Sequence, residues 1–264
     1  MISRKASGHA LKKILHYIHN KGMKTTLFTN DYFSDDNWIA FFKSIYLDSI
    51  KISVDSIYDC SHSNIRKGNT LRTILNNIDK LINNKIKVEI TTIAMKENLS
   101  EINDILAYFK EKKSAVTHYI DSYIPNSLEI DTDLNIITPE EYSLIICKRC
   151  KDNNLKKLSL KEHYCGFAHN YIFISSEGIV KLCTTMPHEF NIGNINNDTV
   201  QFCWDMVVNK FYSLSCKYKN ECKYYKYCAG GCRHRAYVFS GEIIGKYIYM
   251  CSFYKMMEDY EKND

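Results

Sequence analysis

A ladder of seven cysteines, Cys165, Cys183, Cys216, Cys222, Cys228, Cys232 and Cys251, lies in the last two-fifths of the sequence, a stretch that also holds Cys203. A segment that carries so many thiols must wrap metal, close disulfides or do redox work, and each option dictates how it folds. Cys228 to Cys232 reads CAGGC and runs directly into Arg233. The whole chain holds 11 cysteines in 264 residues, too many for background.

The amino terminus, MISRKASGHALKKILHYIHNKG, lacks the apolar core and small-residue cleavage site of a secretory signal. No stretch approaches the roughly 18 apolar residues needed to cross a bilayer, so no membrane partner is expected. These features place the chain in a reducing cytoplasm, where clustered thiols usually hold metal and disulfides are the bland alternative. The net charge of +5, with both signs interspersed, describes a solvated surface and gives no case for nucleic acid.

The first half alternates helix and strand. His9 to Asn20 places Leu11, Ile14, Leu15 and Ile18 at helical spacing; Gly22 stops it, and MKTTLFTN follows as a buried strand. The unit recurs as a helix over Asp35 to Ile45, a strand over Ile50 to Val54, a helix over Thr70 to Asn83 and a strand over Val88 to Ile93. Ser100 is positioned to cap a helix with Ile102, Ile105, Leu106 and Phe109 inward, and Val116 to Ile120 is a last apolar run. Such alternation predicts an α/β fold with a parallel sheet, a barrel or part of one, whose chemistry sits at the carboxyl ends of the strands. There stand Thr29-Asn30, Ser53-Val54-Asp55-Ser56 and Thr91-Thr92, with His62 and Arg66 in the loop after the second strand. Singly each reads as a turn or cap residue; together they form a polar rim.

The second half is a cysteine domain. Tyr171 to Ile174, SSEG and Ile179 to Leu182 predict a β-hairpin with Gly178 in its turn, bringing Cys183 near Cys165. Asp198 to Asn209 reads as a helix with Trp204 inward, and Gly230 and Gly231 let the backbone pass close to a bulky inorganic centre. Zinc would want two tidy ligand pairs, and seven thiols exceed one tetrahedral site; iron–sulfur clusters, each held by about four thiols, account for the number more naturally.

Cys165, twelve residues, Gly178, four residues, Cys183 resembles the first half of the SPASM motif of radical AdoMet enzymes. Cys222, five residues, Cys228, three residues, Cys232, then Cys251 resembles its second half. Upstream, LFTN is similar to that family's third strand, KISVDS to its fourth, HSNIRKG to the loop after it and VEITTIAMKENLSEI to its fifth. The resemblance implies a partial (β/α) radical-SAM barrel lacking its first strand over residues 1–155, then a small SPASM domain with a β-hairpin over 160–260. It further implies two auxiliary [4Fe-4S] clusters. Cys165, Cys183 and Cys232 would serve the first, whose fourth ligand is unassigned, and Cys222, Cys228 and Cys251 the second. The family's further cysteine three residues before Cys222 is here Lys219, and Cys216 is the expected substitute. Cys203 is expected in the core, and the CxxC of Cys147 and Cys150 is structural or incidental.

For S-adenosyl-L-methionine the resemblance implies contacts from Asn30, Ser53, Asp55 and Arg66, with Ser53 and Arg66 on the methionyl and ribose portions. The family's CxxxCxxC is absent from the sequence, and SGHA at Ser7 to Ala10 stands roughly where its GGEP segment ends. The chain is therefore expected to begin inside the barrel, as a fragment or misassigned start rather than a degenerate homologue, and to be inactive by itself. Three functions follow: a maturase abstracting hydrogen from a peptide or protein and drawing electrons from a flavodoxin or ferredoxin; a non-catalytic iron–sulfur module for peptide binding or electron transfer; and a zinc-stabilised binding protein. His169, His188 and His234 read as surface or hydrogen-bonded histidines. The KYYKY run is expected to pack around a cluster, and Asp55 and Glu177 have no carboxylate partner for hydrolytic work.

Overall fold

The computed structural model describes residues 8–30, 35–66, 70–112, 115–125, 135–152 and 164–263. Ser7 of the SGHA segment and the Lys67-Gly68 end of HSNIRKG lie outside the described residues. The chain divides into two compact units, Met1–Tyr123 and Ile124–Asp264.

In the first unit α1 (Gly8–Asn20) leads to β1 (Thr26–Thr29), α2 (Asp36–Ser44) and β2 (Ser49–Ser53). A short α3 (Asp59–Ile65) precedes α4 (Leu71–Asn83), β3 (Val88–Ala94), α5 (Ile102–Glu111) and β4 (Val116–Ser122). The four strands pair in parallel in the order β1-β2-β3-β4, with Leu27, Ile50, Val88 and Val116 in register. Parallel strands need crossovers, and the helices supply them. Leu71, Ile74, Ile78 and Leu81 give α4 one buried stripe, and α5 buries Ile102, Ile105 and Phe109. A fully buried Ile such as Ile74 or Ile90 contributes about 1.5–3 kcal/mol. The Asp35 carboxylate caps α2, accepting from Trp38 N at 2.9 Å.

Two local expectations change. The stretch around His62 is the helix α3, not a loop; its DCSHSNI sequence has no apolar stripe for periodicity to detect. Ser100 lies inside a 3₁₀ turn over Lys96–Glu101 that runs straight into α5, so it does not cap that helix.

The second unit holds α6 (Pro139–Asp152), β5 (Phe173–Ile174), β6 (Ile179–Lys181), β7 (Asn191–Asn194) and α7 (Val200–Phe211). Then come α8 (Tyr225–Cys228), α9 (Arg233–Ser240) and α10 (Ile248–Asn263), which packs against α6. The hairpin forms with Gly178 at φ +81°, and β7 adds a third antiparallel strand. The inward face of α7 is Cys203, Val207 and Phe211, leaving Trp204 half-buried beside them. Cys203 packs within 3.0 Å of where a Cβ on Gly193 of β7 would stand, which makes it a core side chain. Among the described residues no helix is long and apolar enough to cross a membrane.

Candidate active site and cysteine centres

Strand alternation divides the first sheet into two faces. Ile50, Ile52, Val88 and Ile90 are buried, while Phe28, Lys51, Ser53, Glu89, Thr91 and Tyr119 are partly or largely exposed on the opposite face. Register sets Ser53 beside Thr91 and Thr91 beside Tyr119, and Asn30 follows the end of β1. The Lys51 ammonium stands 4.0 Å from the Tyr119 ring centroid.

At the carboxyl ends of β2 and β3 the polar groups are tied into one knot. The Asp55 carboxylate is buried, with Oδ1 accepting from Ile93 N at 2.8 Å. Its Oδ2 accepts Arg66 Nε at 2.7 Å and Arg66 Nη2 at 2.6 Å. Asp55 is thus spent on orienting Arg66, which is itself partly exposed. Asn98, fully buried, donates to Asp55 O at 2.7 Å and Ile93 O at 2.9 Å, and accepts from Met95 N at 2.9 Å. Asn98 was not singled out from the sequence; an Asn in a run such as KENLS carries no signal that distinguishes it from a turn residue. Nearby, Ser56 and Ser61 both donate to Glu101. His62 is fully buried with neither ring nitrogen hydrogen-bonded, and burial, reinforced by the Arg66 charge, holds its pKa below the ordinary value.

All 11 cysteines are free thiols, Cys60 in the first unit and the other ten in the second. Their mutual electrostatic influence sorts the seven of the ladder into two sets. Cys165 and Cys232 each feel Cys183, and the Tyr171 phenol feels all three. Cys251 feels Cys228, Cys222 and Cys216, and Cys228 in turn feels Cys222 and Cys216. Burial, with the neighbouring thiols adding to it, pushes Cys251 up to about 11. Burial does the same to Cys232, opposed by the Arg235 backbone at the start of α9. Gly230 N donates to Cys228 Sγ at 3.3 Å, and Thr185 Oγ1 lies 3.4 Å from Cys183 Sγ.

The CAGGC turn joins the sets. Ala229, Gly230 and Gly231 all have left-handed backbones, at φ +45°, +86° and +72°. A Cβ on Gly230 would stand 3.1 Å from Cys216 N, and one on Gly231 would stand 2.8 Å from the Tyr247 ring. The glycines therefore let the chain approach the Cys216 segment and Tyr247. Cys147, on α6, is buried in the cluster that contains Cys228, Phe253, Tyr254 and Met257, with Cys150 packed against it. Of the histidines, His234 pairs with Thr185 Oγ1 at 2.9 Å and His169 tilts against Tyr212 at 4.6 Å.

All-thiol donor sets suit iron–sulfur clusters or zinc. A single zinc with Zn–S near 2.3 Å needs its sulfurs drawn together within about 4 Å. Among the described residues no three His, Cys, Asp or Glu side chains are arranged to hold one metal ion. Each set has an amide or hydroxyl contact to a sulfur, Gly230 N on Cys228 and Thr185 Oγ1 on Cys183, of the kind that supports thiolates bound to zinc or to an iron–sulfur cluster.

A parallel α/β sheet with polar strand ends precedes the thiol-rich unit. Residues 4–109 match the model of the Radical SAM superfamily. Among solved structures, native anSMEcpe with bound AdoMet matches with a TM-score of 0.77 at 16% identity, covering 97% of this chain and 79% of that one. The anSMEcpe complex with AdoMet and the Kp18Cys peptide matches with a TM-score of 0.75, also at 16% identity, covering 97% and 82%. SuiB of Streptococcus suis bound to its precursor peptide SuiA matches with a TM-score of 0.66 at 12% identity, covering 90% of this chain and 61% of SuiB. No curated protein matches the sequence. The expected α/β class with a parallel sheet is the one observed.

Proposed function

We propose that this chain is a radical AdoMet protein of the SPASM type that acts on a peptide or protein. The observation that carries this reading is the sorting of the ladder into a three-thiol and a four-thiol set. Cys165, Cys183 and Cys232 would hold one auxiliary four-iron cluster, and Cys216, Cys222, Cys228 and Cys251 a second. Supporting it, anSMEcpe and SuiB are both known in complex with peptides.

On this reading Asn30, Ser53 and Arg66, at the carboxyl ends of the first sheet, would hold AdoMet. Asp55 holds Arg66 in place and Asn98 holds the backbone that carries Asp55. AdoMet, when bound and reductively cleaved, would supply the hydrogen-abstracting chemistry, and this chain's residues would bind and orient it. An electron donor such as flavodoxin or ferredoxin would serve the clusters. The second reading is an iron–sulfur module that binds a peptide or passes electrons without cleaving AdoMet.

The test is iron, acid-labile sulfide and zinc per chain after anaerobic reconstitution. About eight irons with matching sulfide are expected for two four-iron clusters. Stoichiometric zinc with negligible iron would sink the proposal. Calorimetric AdoMet binding with no cleavage under reductant would select the second reading.

A further inference from the structure

Arg233 follows Cys232 and opens α9, yet it is only 2% exposed. Its Nε donates to Gly231 O at 3.2 Å, and its Nη1 to Ile243 O at 3.1 Å and Gly245 O at 3.0 Å. Its Nη2 is buried without a hydrogen-bond partner. Among the described residues no carboxylate pairs with it. The ionisable groups that act on it are Cys216, Cys232 and Cys228, then Tyr225, and Cys165 feels it in turn. Those thiols come from both sets, and Gly231, which Arg233 Nε holds, lies in the CAGGC turn between Cys228 of one set and Cys232 of the other.

A guanidinium stays charged in proteins, and a buried charge with no counter-ion is costly. Neutral thiols do not compensate it. Thiolates bound to an anionic cluster do, and their sulfurs accept from a free N–H.

We infer that Arg233 is a positioning residue shared by two iron–sulfur clusters, its charge offsetting theirs and its free Nη2 donating to a cluster sulfur. The inference rests on the two-cluster reading above. A cation at this place favours the more negative reduced cluster, so it raises the reduction potential.

The experiment compares the full chain with Arg233→Lys and Arg233→Gln after anaerobic reconstitution. It reads iron and sulfide content, circular dichroism and EPR-monitored potentials. In Arg233→Gln, which keeps donors but loses the charge, the reduced-to-oxidised ratio at fixed potential should fall at least tenfold, 59 mV for a one-electron couple. Arg233→Lys should stay within about threefold of the parent, roughly half that shift. Folded Arg233→Gln that loses iron while Arg233→Lys keeps it would equally support the charge requirement. Potentials in Arg233→Gln equal to the parent's, or both variants shifted or stripped alike, would overturn the inference and leave Arg233 a brace for three carbonyls. A parent chain without iron would instead fail the underlying reading.

Discussion

Asn98 is the residue on which the rim of the first sheet most depends. Asn98→Ala deletes three buried hydrogen bonds, to Met95 N, Asp55 O and Ile93 O. Each is worth about 1 kcal/mol net, and the stranded Met95 amide costs about 1–3 kcal/mol more. A loss of roughly 4–6 kcal/mol follows for the first unit. With a urea slope of about 1.5–2 kcal/mol per M, its midpoint should drop by about 2–4 M. The chain has two tryptophans, Trp38 on α2 and Trp204 on α7, so Trp38 fluorescence in a Trp204→Phe background reports the first unit. Asn98→Asp separates the acceptor from the donors. It keeps an oxygen for Met95 N but turns a carboxylate towards two carbonyls, so it should cost at least as much as alanine. A midpoint drop under about 0.5 M for Asn98→Ala, or an Asn98→Asp variant clearly milder than it, would refute the reasoning.

His62 titrates below its ordinary value when folded, so the unfolded chain binds more protons and stability falls as pH drops from about 6.5 towards the folded value. His62→Leu should flatten that slope, and at pH 7 should be neutral or stabilising because two unpaired nitrogens leave the interior; urea midpoints at pH 5 and 7 check both. Gly230→Ala and Gly231→Ala combine a left-handed backbone with a Cβ at 3.1 or 2.8 Å from its neighbour. Each should cost about 2–3 kcal/mol, against about 1 kcal/mol for Gly241→Ala, whose Cβ would meet nothing within 4 Å. Iron retention should fall in the same order. Cys222→Ser and Cys251→Ser should each lower reconstituted iron by about four per chain, while Cys203→Ser leaves the count unchanged and lowers only stability.

The sequence was most legible where local periodicity carries the fold. Leu71, Ile74, Ile78 and Leu81 on α4, and the alternation through β3, follow from side chains that must leave water on one face. It was least legible where polar residues form the element. α3 has no apolar stripe, and β7, whose sequence is NIGN, exists because β6 offers it a partner. Trp204 was read as the inward residue of α7, yet the smaller Cys203 takes the fully buried place, its Sγ 3.0 Å from where a Cβ on Gly193 would stand.

By itself, then, the sequence determined an alternating α/β half and a half saturated with thiols, because composition and spacing act over a few residues. Tertiary structure alone decided that Asp55 is spent on Arg66 and held by Asn98, 43 positions away. It alone set Cys216 against the CAGGC turn through a left-handed run and buried Arg233 against the Gly231, Ile243 and Gly245 carbonyls. The physical reason is that such meetings are fixed by strand register and by turns of special handedness. Neither leaves a periodic trace along the chain.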